Sequence, residues 1–149
     1  MIFVDTNVYF YAHDEREQAK RAACRDWLRA LGQRRLGRSN LQVANEFVDV
    51  VLRKRRDIDP DTVFRLADDI QAWGAAAISG ETVQAARHVR RSTAYSWWDC
   101  LLLASALELG CTHFLSEDLQ DGQRIDMGGR ALTIVDPFAH SPEQFLASR

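Results

Sequence analysis

The chain begins Met1-Ile2-Phe3-Val4-Asp5-Thr6-Asn7. Three apolar residues run without interruption into an acid and two small polar residues. A short apolar run bounded in this way predicts a buried strand. Asp5 then stands at the carboxyl end of that strand, which is where open α/β sheets place their ligands. This opening constrains the remaining chain, which must build a sheet around it. The chain also offers three more acids for the same edge: Glu46, Asp99 and Asp118.

Helical and strand signals alternate along the chain. Thr6 to His13 reads as a helix with Asp5 or Thr6 as its cap. Asp14 to Leu31 places Ala19, Ala22, Ala23, Trp27, Ala30 and Leu31 at helical spacing, with Gly32 as the stop. A short strand is expected around Arg35 to Gly37. Ser39 or Asn40 caps a helix from Leu41 to Lys54, whose Val43, Ala44, Phe47, Val50 and Val51 make one apolar face. Asp59-Pro60 opens a helix reaching Trp73. Ala75 to Ile78 reads as a short buried strand, Ser79-Gly80 as a turn, and Glu81 to Arg91 as an amphipathic helix. Ser96 caps a helix from Trp97 to Leu109, which Gly110 closes. Thr112 to Leu115 and Ala131 to Val135 are strands, Asp121-Gly122 is a turn, and a short helix starts at Pro142. Such alternation predicts an α/β fold with a mainly parallel sheet.

The length of 149 residues suits one domain with a sizeable core. No apolar stretch approaches the roughly 18 residues of a membrane span, and the first residues lack the pattern of a signal peptide. Cys24, Cys100 and Cys111 have no metal-type spacing and read as free thiols, which with the absence of a signal pattern points to the cytoplasm. The net charge is −2, so attraction of a polyanion would have to come from local clusters. Arginines do cluster, at Arg34, Arg35 and Arg38, at Arg53, Arg55 and Arg56, and at Arg87, Arg90 and Arg91.

Each acid has a plain structural reading beside the functional one. Asp5 suits a helix cap. Ser96-x-x-Asp99 resembles a capping box, although Asp99 also shares a face with Leu102, Leu103 and Ala106 on a helix apolar nearly all round, where an unpaired carboxylate is costly. Glu46 taken alone reads as a solvent-facing glutamate, and Glu117 and Asp121 compete with Asp118 as the acid after the second strand. The combination favours chemistry. Carboxylates gathered at one sheet edge repel each other unless cations neutralise them, and oxygen-rich sites without Cys or His suit Mg²⁺ or Mn²⁺. Such ions activate water for attack on a phosphodiester.

Four blocks carry a resemblance: Phe3-Val4-Asp5-Thr6-Asn7-Val8, Leu41-Gln42-Val43-Ala44-Asn45-Glu46-Phe47, Ser96-Trp97-Trp98-Asp99-Cys100-Leu101, and Leu115-Ser116-Glu117-Asp118-Leu119-Gln120-Asp121-Gly122. In this order they resemble the PIN-domain ribonucleases, specifically the VapC-type toxins of bacterial toxin–antitoxin pairs. The resemblance implies a three-layer α/β/α fold with a central five-stranded parallel sheet, and Mg²⁺- or Mn²⁺-dependent cleavage of RNA. It implies Asp5 and Asp99 as principal metal ligands, with Glu46 and Asp118 completing the site. Thr6, Asn7 and Ser116 would orient carboxylates or waters. It further implies an antitoxin that lays a segment over the groove, and a homodimer.

Rival chemistries fit less well. An Asp-nucleophile phosphatase wants a second acid two residues after the first, where this chain has Asn7. It also needs a well-placed lysine, as does a phospho-receiver domain, and neither Lys20 nor Lys54 follows a predicted strand. A PIN fold that binds RNA or a partner without cutting is the remaining alternative. Because the acids repel RNA, a basic surface must hold it. Arg53, Arg55 and Arg56, about 10–15 Å beyond Glu46 along the same helix at ~1.5 Å per residue, are the expected phosphate contacts, joined by Arg34, Arg35 and Arg38.

Overall fold

The computed structural model describes residues 1–148. Its elements run β1 (Ile2–Val4), α1 (Thr6–Ala12), α2 (Gln18–Arg34), β2 (Gly37–Arg38), α3 (Leu41–Lys54), α4 (Pro60–Gln71), α5 (Gly80–Ser92), α6 (Trp97–Glu108), β3 (His113–Leu115), β4 (Arg124–Met127), β5 (Arg130–Val135) and α7 (Pro142–Ala147). The five strands form one sheet in the order β2-β1-β3-β5-β4. All neighbours are parallel except β4, which runs antiparallel to β5. Ile2, Phe3 and Val4 are each buried. Successive strand residues point to opposite faces, so helices must cover both sides, giving the three-layer α/β/α arrangement. Phe3 stacks on Phe114 of the adjacent strand with ring centroids 5.3 Å apart.

Strand β1 lies between β2 and β3, so the chain winds away from it in both directions. This is the topological switch point of an open α/β sheet, where the connections leaving the strands part and open a crevice at their carboxyl ends. The register Val4↔Leu115 puts Asp5 and Ser116 side by side at that crevice, and the Asp5 amide donates to the Leu115 carbonyl at 3.1 Å.

Side-chain caps fix where most helices begin. Asn40 accepts from the Val43 amide, Ser79 from Thr82, Ser96 from Asp99 and Ser141 from Gln144. Helix α6 is buried from Cys100 to Leu107, but its first residues depart from the expectation of a helix buried all round: Trp98 is 59% exposed and Trp97 is 36% exposed. Helix α2 does not stop at Gly32. It runs to Arg34 and ends on Arg35 in the left-handed region, φ 54°.

Two strand expectations need correction. Residues 75–78 are not a strand; Ala75, Ala76 and Ala77 are exposed and this segment only crosses the surface. Three alanines offer too little apolar area to pull a segment into a core. Conversely, Arg124-Ile125-Asp126-Met127 forms β4, where no strand is expected from the sequence. It is an edge strand, polar on its outer side, so it lacks a buried-strand signature. Its partner is set by the hairpin turn: Gly128 and Gly129 take φ 57° and 79° between paired Met127 and Arg130, the two left-handed residues that a type I′ turn demands.

Candidate active site

Asp5 is the fixed point of the site. Only 5% of it is exposed, and each carboxylate oxygen has its own partners. Oδ1 accepts from the Thr6 amide at 2.7 Å, which caps α1. Oδ2 accepts from the Ser116 hydroxyl at 2.7 Å and from Asn7 Nδ2 at 3.2 Å. The cap and the site are therefore one arrangement, with one oxygen for the helix and the other turned to the crevice.

The other acids reach Asp5 through the polar residues beside it. The Thr6 hydroxyl donates to Glu46 Oε2 at 3.0 Å, and Gln42, one turn earlier on α3, donates to Glu46 Oε1 at 3.0 Å. Glu46 is thus half-buried and held, not a free solvent-facing glutamate. Asn7 Nδ2 donates to Asp118 Oδ2 at 3.0 Å and also meets the Ser116 hydroxyl at 3.0 Å. That hydroxyl accepts from the Asp118 amide at 3.2 Å. Asp99, in the first turn of α6, is held by Ser96, whose hydroxyl donates to Asp99 Oδ2 at 2.8 Å. Asp5, Asn7, Asp99 and Asp118 line one pocket of about 210 Å³, with Tyr11 and Lys54 on its walls.

Electrostatics follow from this packing. Burial pushes the Asp5 carboxyl up to about 7. The Ser116 hydroxyl and the Thr6 amide pull it down, while the charges of Asp99 and Glu46 push it further up. Desolvation outweighs two good hydrogen bonds, which marks a carboxylate short of positive charge. Lys20 does not supply that charge. It is paired with Glu117 at 3.0 Å and reaches the Tyr11 hydroxyl at 3.4 Å.

The donor set is therefore all oxygen, anionic and partly desolvated, which suits a hard divalent cation. Among the described residues, no three His, Cys, Asp or Glu side chains already close on a common point. Asp5, Asp99, Glu117 and Asp118 line the pocket, and Glu46 reaches it through the Thr6 hydroxyl. Asp5, Asp99 and Asp118 are the side chains that would hold such an ion there.

The competing acids have other work. Glu117 lines the pocket but is committed to Lys20. Asp121 accepts from the Asp136 amide at 2.9 Å and lies 2.9 Å from His140 Nε2. Burial by itself would raise Asp121, yet these two contacts hold it below the usual carboxylate range. It anchors the end of the loop that carries Asp118.

The arginines behave differently from one another. Arg55, expected to meet phosphate, is 11% exposed at its side chain and bonded to Asp14 at 3.2 Å and Asp57 at 2.8 Å. Its fork closes the chain after α3 and is not available to a ligand without breaking both pairs. Arg53 leans on Asp49 at 3.5 Å, while Arg56 is exposed. Arg34 donates to the Leu146 carbonyl and Arg38 to the Gly37 carbonyl. Arg35 is the left-handed end of α2.

Sequence reasoning missed Gln42, Lys20, Lys54 and Tyr95. Two had a signal: Gln42 and Lys54 lie four residues before and eight after Glu46, one face of the same helix. Tyr95, just ahead of the Ser96 cap, accepts from the Gln120 amide at 3.0 Å and hydrogen-bonds Gln123, tying the Asp99 element to the Asp118 loop. Lys20 and Tyr95 had no local signal, since both act across long sequence separations.

An α/β/α sheet with acids at its switch point defines an open α/β protein with an acidic crevice at the carboxyl ends of its strands. The particular family follows from comparison: residues 2–123 match the PIN domain model, and the chain belongs to the PIN domain family. Strands β4 and β5 lie beyond the matched residues, yet both belong to the same sheet, with β5 paired to β3. Among solved structures, VapBC2 from Rickettsia felis, bound to a DNA fragment from its promoter, matches with a TM-score of 0.61 at 12% identity. The match covers 91% of this chain and 98% of that one, and it is a likeness of fold. No curated protein matches the chain. Among the described residues no helix is long and apolar enough to cross a membrane, and all three cysteines are free and buried.

Proposed function

We propose that this chain, as one PIN domain, is a Mg²⁺- or Mn²⁺-dependent endoribonuclease of the VapC type, the toxin of a cytoplasmic toxin–antitoxin pair. One observation carries the reading: buried Asp5 shares a small pocket with Asp99 and Asp118 and is joined to Glu46 through Thr6. Asp5 and Asp99 would hold the cation most directly, with Glu46 and Asp118 completing the set. When bound, the ion supplies a Lewis acid and lowers the pKa of water for attack on a phosphodiester.

The chain's own residues do the rest. Thr6 and Gln42 fix both oxygens of Glu46. Asn7 bridges Asp5 and Asp118 and holds their separation. Ser116 donates to Asp5 and so keeps an otherwise protonated carboxyl closer to its anionic form. Ser96 fixes the rotamer of Asp99. Each acid thus enters the reaction already oriented, which is the main thing a rigid phosphodiesterase site must provide.

The fold likeness to VapBC2 supports an antitoxin as partner, since that protein is a two-component complex. A homodimer remains part of the proposal on the sequence resemblance. The test is cleavage of RNA by the purified chain: activity is expected to vanish in EDTA and return with Mg²⁺ or Mn²⁺. Undiminished cleavage in EDTA would remove the metal mechanism. RNA binding without cleavage under any divalent metal would make the chain a binding module.

A further inference from the structure

We propose that Lys54 is the phosphate-holding residue of the acidic pocket, the cation that lets a site built of carboxylates accept a single-stranded phosphodiester. The inference rests on the nuclease reading and adds a binding residue to it.

Glu46, Val50 and Lys54 are spaced by four along α3, so one face of that helix carries the acid at one end and the ammonium at the other. The separation is about 12 Å along the axis at ~1.5 Å per residue. Val50 and Lys54 both line the pocket that Asp99 and Asp118 also line. Lys54 is the one basic side chain in that lining.

It is also uncommitted. Lys20 is held by Glu117, Arg53 by Asp49, and Arg55 by Asp14 and Asp57. Among the described residues Lys54 has no carboxylate within ion-pair distance, and its Nζ lies 5.6 Å over the Phe10 ring. A lysine in a pocket of carboxylates would ordinarily fold onto one of them. Here the ammonium stands over Phe10, itself part of the pocket wall, and the pocket of about 210 Å³ that both line also holds Asp5, Asp99 and Asp118. An anion in that pocket meets Lys54 and the carboxylates that would hold the proposed cation. A phosphodiester has two anionic oxygens to share between them, whereas a protein carboxylate there would face the acids with no neutralising group between. Lysine serves as a point charge for phosphate and does not require bidentate geometry.

The test uses the full chain with Asp5→Asn, so that RNA is bound and not cut, and an unstructured fluorescein-labelled oligoribonucleotide titrated by anisotropy over a salt series. Lys54→Gln is expected to weaken binding and to reduce the log–log salt slope by about 0.7, the value for one single-strand phosphate contact. Lys54→Arg should retain both. Arg124→Gln, on the far edge strand, removes the same charge and should change neither. With Asp5 intact and metal present, Lys54→Gln should raise KM more than it lowers kcat. Unchanged affinity and slope in Lys54→Gln overturn the proposal. So does a Lys54→Gln variant that binds RNA normally but loses a protein partner, which would assign Lys54 to that partner. If Lys54-dependent binding is seen but wild type cuts nothing, the nuclease reading falls and this one stands. If the chain binds no RNA, both fall.

Discussion

Asp5 joins three demands in one side chain: it ends a strand, caps a helix and faces a pocket of like charge. Its folded carboxyl is raised to about 7, chiefly by burial. In the unfolded chain it titrates near the ordinary value of 3.8. The folded state therefore binds a proton that the unfolded state has released. The resulting stability is fully present below about 3.8 and is lost as pH rises through about 7. In EDTA, melting temperature should fall between pH 4 and pH 8, and Asp5→Asn should flatten that fall; an identical slope in both proteins would show that Asp5 is not the responsible group. The same titration opposes metal uptake, so Mn²⁺ affinity should rise with pH up to about 7. For activity, Asp5→Asn or Asp99→Asn is expected to abolish RNA cleavage while the circular dichroism spectrum stays native, because Asn also caps helices. Wild-type cleavage by either variant would remove that acid from the site.

At the scale of elements, the joints between helices and sheet hold the acids in place. Asn40 is fully buried; it caps α3 by accepting from the Val43 amide at 2.9 Å and donates to Ser105 of α6 at 2.9 Å. It thus ties the helix of Glu46 to the helix of Asp99. Asn40→Ala removes a cap worth roughly 0.5–2 kcal/mol and leaves the Ser105 hydroxyl buried without its donor, so the urea midpoint should drop clearly and activity with it. A midpoint within error of wild type would mean that the two helices are joined elsewhere. Gly37 shows the opposite constraint. Trp73 packs on it so closely that an added Cβ would lie 1.9 Å from the indole. Gly37→Ala should cost about 1–3 kcal/mol by overpacking, read as a lower denaturation midpoint; an unchanged midpoint would show that Trp73 moves aside freely.

For the whole molecule, net charge of −2 and an acidic pocket mean that long-range attraction does not bring a polyanion to the site. Under the proposed function, binding of RNA must come from local contacts and from the cation the acids would hold. A cation that binds only the folded chain stabilises it by mass action, about 2.7 kcal/mol at a hundredfold excess over Kd. Saturating Mn²⁺ should therefore raise the melting temperature of the wild type and leave Asp99→Asn much less shifted. Equal shifts in both would place the ion elsewhere.

Short-range signals in the sequence were enough for the opening strand, for the caps at Asn40 and Ser96, and for the α/β alternation, because each depends on residues within a few positions. The four acids stood out through the ordered blocks around them; Asp5, Asp99 and Asp118 line one pocket, and Glu46 is tied to it through Thr6. Other features required the folded chain. Strand β4 exists because β5 and a two-glycine turn offer it an edge, while the apolar-looking 75–78 finds none. Arg55 looked available until Asp14, 41 positions away, came within 3.2 Å. The bond from Asn7 to Asp118 spans 111 positions. Caps and periodicity are local energies that a sequence displays directly. Which charge meets which, and which is left without a carboxylate partner like Lys54, is decided by distances that exist only after the sheet has closed.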